Sequence, residues 1–128
     1  MDKKTIGDKG ESFAAALYEK SGYTVVKRNY HSRFGEIDLI TENETEICFV
    51  EVKTRNLSSL GNPAEAVDFR KQKKLTLTAM KYLGEVENFK QPRFDVLEIW
   101  QQDGKIMKYN LIENAFYVDD FAGSYEVF

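Results

Sequence analysis

The sequence predicts a mixed β-sheet flanked by helices, in the α/β or α+β class. Three observations lead there. Two stretches carry helical periodicity, one at the start and one past the middle, and each runs into a glycine. The segments between and after them are rich in β-branched and aromatic residues. Short polar turns join those segments in pairs.

In chain order, the first helix is expected over Lys4 to Ser21, with Ile6, Phe13 and Leu17 as a rough stripe, Gly10 between them and Gly22 as the stop. Tyr23 to Tyr30 follows as a strand on the strength of Tyr23-Thr24-Val25-Val26. Glu36 to Thr41 and Glu46 to Thr54 read as two more strands around the polar turn Glu42-Asn43-Glu44-Thr45. Asn62-Pro63-Ala64-Glu65 signals a second helix start: Asn62 can cap, Pro63 suits the first turn and Glu65 completes a capping-box-like arrangement. That helix should reach about Leu83, before Gly84. Arg93 to Trp100 and Lys105 to Ile112 form a last hairpin about Asp103-Gly104. The order is αβββα followed by ββ.

A chain of 128 residues fits one domain. Hydrophobic residues at 42% and charged residues at 30% suit a soluble globular protein, and eight glycines with two prolines exclude a collagen-like or disordered chain. No repeat, low-complexity stretch or linker interrupts it. No apolar run approaches the ~20 residues of a membrane helix, so no membrane partner is expected. Met1-Asp2-Lys3-Lys4-Thr5 leads into no apolar signal region. Cys48 is the single cysteine and has no internal disulfide partner, which points to a reducing cytoplasm.

The net charge of −3 is unevenly divided. Residues 1–83 hold fourteen Lys/Arg against twelve Asp/Glu, a balance of +2; residues 84–128 hold four against nine, a balance of −5. Phosphate binding follows local basic patches more than the total. The total argues against tight nonspecific DNA binding.

The chemistry concentrates in Gly35-Glu36-Ile37-Asp38-Leu39-Ile40 and Phe49-Val50-Glu51-Val52-Lys53-Thr54-Arg55. Strand alternation puts Glu51 and Lys53 on one face, with Val50 and Val52 on the other. Asp38 lies one hairpin away. A register that brings it beside Glu51 gathers two carboxylates and an amine. Two carboxylates suit Mg²⁺ or Mn²⁺; such an ion acidifies water and offsets charge on a phosphate, and an ammonium nearby stabilises the transition state. An isolated Glu-x-Lys is usually a solvated ion pair. Here Ile47 and Phe49 precede it on the same face, and an apolar face that turns ionic suits a cleft.

Gly7-x-x-Gly10-Glu11, Arg28-Asn29-Tyr30, Gly35 to Ile40, Phe49 to Arg55 and Arg93-Phe94-Asp95-Val96, in this order and spacing, resemble the YraN-like family of the PD-(D/E)XK nuclease superfamily, which is similar to Holliday-junction resolvases. The likeness spans roughly residues 5–112, with an acidic aromatic tail over 113–128. It implies a restriction-endonuclease-like single domain with a mixed central sheet. It also implies that Asp38 and Glu51, with the Val52 carbonyl, hold Mg²⁺ or Mn²⁺. Lys53 would act on the water, Glu11 would stand near the metal on its helix, and Gln72 would lie beside the site. The proline of the superfamily motif is absent, since Ile37 precedes Asp38, and His31 stands where an arginine is expected.

Other residues carry two readings each. Glu11 is spaced with the small residues Gly7, Ala14 and Ala15, which lets its helix approach closely; otherwise it is an exposed acid. Gln72 caps a backbone group or serves the site. Lys71, Lys74, Thr78 and Lys81 make a basic helix face, either solvated or touching phosphates. Arg28, Arg33 and Arg55 add cations near the proposed site. Asp95 suits a structural salt bridge, and Cys48 and Trp100 suit the core. The tail aromatics Phe116, Tyr117, Phe121, Tyr125 and Phe128 fold back, self-associate as a homodimer, or cover a basic groove. The expectation is a Mg²⁺-dependent endonuclease on branched or single-stranded DNA. The rivals are a non-catalytic nucleic-acid-binding module and a partner-binding protein of the same fold.

Overall fold

Asp2 starts the first helix by accepting the Thr5 backbone N–H at 2.8 Å, one of the donors a helix N-terminus leaves unpaired. The computed structural model describes residues 2–60, 67–87 and 90–116. In it α1 runs Lys3–Lys20 and ends at Ser21, with Gly22 at a φ of 92°. The Tyr23 N–H returns to the Tyr18 carbonyl at 3.0 Å and closes the helix end. Strands β1 (Thr24–Ser32), β2 (Gly35–Glu42) and β3 (Glu46–Asn56) follow. A short 3₁₀ turn, Leu57–Ser59, comes next. Then come α2 (Phe69–Val86), β4 (Gln91–Gln102) and β5 (Lys105–Phe116).

The five strands stand in chain order, antiparallel throughout except that β3 and β4 run parallel. A parallel pair needs a crossover, and α2 lies within it. The two helices occupy opposite faces. Tyr18, Ala14 and Ala15 of α1 pack with Leu39, Cys48, Val50, Leu97 and Ile99. Leu75, Ala79 and Tyr82 of α2 pack with Tyr30, Ile37, Ile40, Ile47, Phe49, Phe94 and Phe116. The domain is thus an α/β sandwich, compatible with the restriction-endonuclease-like architecture. Among the described residues no helix is long and apolar enough to cross a membrane.

Two boundaries differ most from the expected ones. The described second helix begins at Phe69, capped by Asp68, whose carboxylate accepts the Lys71 N–H at 2.8 Å; the expected start at Asn62 to Glu65 lies outside the described residues. Strand β5 continues to Phe116, whose ring stacks on Phe94 at 4.6 Å, so residues 113–116 belong to the sheet rather than to a tail. Tyr117 to Phe128 lie outside the described residues. The β4–β5 turn is as expected: Asp103 and Gly104 both take positive φ, 53° and 79°, the conformation that an Asp-Gly hairpin turn supplies.

Candidate functional site

A reversal in the β1–β2 hairpin builds the site. Strict alternation would put Ile37 and Leu39 on one face. Instead Ile37 packs on the α2 side and Leu39 on the α1 side. Across the ladder Tyr30 pairs with Ile37 and Arg28 with Leu39, and Asn29 between them takes a left-handed φ of 51°. Asparagine tolerates that conformation better than most residues. Both strands therefore turn over together at Asn29 and Asp38. The pairing of β2 with β3 starts at Leu39–Val50 and runs only toward Glu42–Ile47. On the other side the two strands part.

Asp38 stands at the parting. Its Oδ2 accepts the Val52 backbone N–H at 2.8 Å, the bond a strand neighbour would otherwise make. A residue's N–H and C=O point to the same side of an extended strand, so the Val52 carbonyl also faces Asp38's side of β3. Glu51 lies one residue back, on the Phe49 face, and is 9% exposed. Lys71 of α2 reaches across to it, with Nζ 3.0 Å from Oε1.

From the other face α1 brings Glu11. A Cβ at Gly10 would collide with Thr54 Oγ1, so the glycine sets how closely α1 sits on β3. Glu11 is the next residue, and its Oε1 is buried with no hydrogen-bond partner among the described residues.

Asp38 bears the effect of its surroundings. Burial pushes the Asp38 carboxyl up to about 7; Glu51 adds to the rise, the Val52 N–H opposes it, and Glu11 and Glu36 contribute further. For Lys71, burial works against the ammonium, but the hydrogen bond and attraction to Glu51, helped by Asp38 and Glu36, outweigh it and leave the group raised. Among the described residues no three His, Cys, Asp or Glu side chains are gathered as a ready-made cage for an ion. Two carboxylates with waters and substrate oxygens are what Mg²⁺ commonly uses. An orphaned acid oxygen and a carboxyl driven toward its neutral form are groups whose cost a nearby cation would relieve.

The other predicted residues fall as follows. Lys53 is half-buried on β3, in register with Glu98 of β4. Arg55 Nη1 lies 3.0 Å from Glu98 Oε2, though not aligned as a hydrogen bond, so that cation is held within the sheet. Gln72 donates Nε2–H to the Val67 carbonyl at 2.7 Å, the capping role of its two readings. Arg28 donates to Ser12 Oγ at 3.2 Å, and Arg33 lies 4.8 Å from the Phe34 ring centroid; both arginines are exposed. Lys74 and Lys81 are exposed on α2, Lys81 pairing with Glu85 at 2.7 Å. Thr78 does not belong to that basic face: it is fully buried, donating to the Lys74 carbonyl and accepting from Ser32. His31 pairs in the open with Glu36 at 3.4 Å.

Asp95 is structural, as expected. It accepts from Arg93 Nη2 at 2.9 Å, Tyr18 O–H at 2.6 Å and the Asn114 N–H at 3.2 Å, inside a bulge of β5. Cys48 and Trp100 are buried, Cys48 as a free thiol. Sequence reasoning missed the contact of Lys71 with Glu51. The available signal was its place three residues after Asp68, a residue type that caps helix starts.

The profile of the uncharacterised protein family UPF0102 matches residues 10–99, a span that includes Glu11, Asp38, Glu51, Lys53 and Lys71. A UPF0102 protein of Caldanaerobacter subterraneus is 45% identical over 120 residues, covering 91% of this chain and 98% of its own. One from Syntrophomonas wolfei is 44% identical over 114 residues, covering 88% and 98%. One from Chloroherpeton thalassium is 42% identical over 119 residues, covering 90% and 91%.

Proposed function

This chain belongs to the uncharacterised protein family UPF0102, and from that premise we propose that it is a Mg²⁺- or Mn²⁺-dependent endonuclease that hydrolyses DNA phosphodiester bonds, with branched or single-stranded DNA as substrate. The observation that carries the reading is Asp38 at the parting of β2 and β3, a carboxyl that feels the charge of both Glu51 and Glu11, because a protein that only bound DNA would have no use for acids crowded beside a phosphate. Asp38 and Glu51, with the Val52 carbonyl, hold the ion, and Glu11 supports it from α1. A divalent cation there supplies positive charge against the scissile phosphate and acidifies water.

The protein's own groups do the rest. The Val52 N–H fixes the rotamer of Asp38. Lys53, two residues after Glu51 on the same face, orients the attacking water and stabilises charge on the phosphate in the transition state. Arg28, Arg33, Lys74 and Lys81 lie on β1, its turn and α2, and supply phosphate contacts along the strand. Gln72 supports the start of α2. A buried thiol suits work in the cytoplasm, and self-association as a homodimer would present two sites to a branched substrate.

A second reading is a nucleic-acid-binding module without catalysis. The ion pair of Lys71 with Glu51 favours it, since it neutralises one acid with no metal. The deciding experiment is a cleavage panel of linear, flapped and four-way DNA with Mg²⁺ and with Mn²⁺, run beside Asp38→Ala. Cleavage by wild type and none by the variant is the expected result. Wild-type binding to DNA without cleavage under either metal would give the second reading the field.

A further inference from the structure

We propose that Lys71 is a resident counter-ion that competes with a divalent cation for Glu51 and, once displaced, takes a DNA phosphate. The inference rests on the endonuclease reading and adds regulation of the same site. Its basis is a contact between elements. Lys71 lies on the first turn of α2, where its backbone N–H is tied to Asp68 at 2.8 Å. Its side chain crosses from the helix to β3 and meets Glu51 at 3.0 Å.

The two partners differ in exposure. The Glu51 side chain is 11% exposed and that of Lys71 is 49% exposed. The acid is therefore fixed in the protein, and the ammonium enters from the solvent side as a removable cover. A lysine is a point charge on a flexible stem, so it can leave without moving the backbone that holds it. A divalent ion brings twice the charge and needs the carboxylate oxygen that the ammonium occupies. The other lysines named on this helix face do not do this: Lys81 pairs with Glu85 of its own helix at 2.7 Å, and Lys74 stands exposed.

Displacement leaves Lys71 tethered within a side-chain length of Glu51, in reach of a phosphate that an ion there would attract. Coupling then runs both ways, as linkage requires. The ion frees Lys71 for phosphate, and a phosphate that draws Lys71 outward frees Glu51 for the ion.

Titration calorimetry of Mn²⁺ into the full-length protein without DNA tests this, using wild type, Lys71→Gln, Lys71→Arg and Lys73→Gln. Lys73→Gln removes one charge from the same helix two residues away and controls for general electrostatics. With its lysine half in solvent, the pair should behave much as a surface ion pair, and losing the competitor should tighten Mn²⁺ binding about 1.4- to fivefold in Lys71→Gln. Lys71→Arg and Lys73→Gln should stay near wild type. Equal or weaker binding by Lys71→Gln, with wild type binding normally, overturns the counter-ion role and leaves the endonuclease reading standing. An equal gain in Lys73→Gln overturns it too, because charge alone would then explain the effect. No heat in any of the four proteins overturns the counter-ion role and the metal site together.

Discussion

Asp38→Asn should stabilise the metal-free protein, and increasingly so as pH rises. The folded carboxyl is raised from its ordinary 3.8 to about 7, chiefly by burial and by Glu51. Across that window the folded state keeps a proton that the unfolded chain has released, so wild-type stability falls as pH rises and levels off above about 7. The amide of the Asp38→Asn variant does not titrate, while its oxygen can still accept the Val52 N–H. At ~1.4 kcal/mol per pH unit, going from about pH 5 to about pH 8 crosses nearly two units of the window, for a ceiling of ~2.6 kcal/mol. Partial solvent access lowers the expected growth of the difference to ~1–2.5 kcal/mol. The assay is urea unfolding of both proteins in chelator at several pH values. Comparing variant with wild type cancels the other titrating groups. Parallel stability curves, separated by a constant amount, would refute the claim that the folded protein raises the Asp38 carboxyl.

Three further outcomes follow from the geometry. Lys53→Ala should lower single-turnover cleavage by at least about tenfold more than it lowers DNA affinity, since transition-state contacts add little to ground-state binding; equal losses in both would make Lys53 a binding residue. Gly10→Ala forces a methyl against Thr54 and should cost ~1–3 kcal/mol in urea unfolding, and the displaced Glu11 should weaken Mn²⁺ binding in calorimetry; unchanged stability would show that α1 has room to spare. Tyr18→Phe removes the 2.6 Å bond to Asp95 while Arg93 and the Asn114 N–H remain, so a loss of ~1–2 kcal/mol in thermal unfolding is expected with cleavage retained.

The sheet was readable because its signals are local. Alternation placed Glu51 opposite in face to Val50 and Cys48, and Asp103-Gly104 supplied the positive φ angles of the last hairpin. Asp95 was readable as structural because an acid two residues from an arginine on a buried strand has few other uses. The helix start was not, because Asn62-Pro63 and Asp68 are both good local signals and the described helix uses the later one. The length of β5 escaped for a different reason. Residues 113–115 break the alternating pattern, and the Asp95 carboxylate, which takes the Asn114 N–H, holds the bulge in the sheet. The site divides in the same way. Asp38, Glu51 and Lys53 share a motif, whereas the reversal at Asn29, the close approach at Gly10 and the reach of Lys71 depend on elements far apart in the chain.

The bond from Val52 to Asp38 gives the molecule a built-in observer. Most strand amides answer to a carbonyl, which does not ionise; this one answers to a carboxylate placed to gain or lose a proton near neutrality. The amide resonance of Val52 therefore follows the state of the site at a single backbone position, without a label or a substrate. Protonation weakens its acceptor, and ionisation restores it. Nuclear magnetic resonance on one nitrogen could then report when the acids are charged, whichever chemistry they perform.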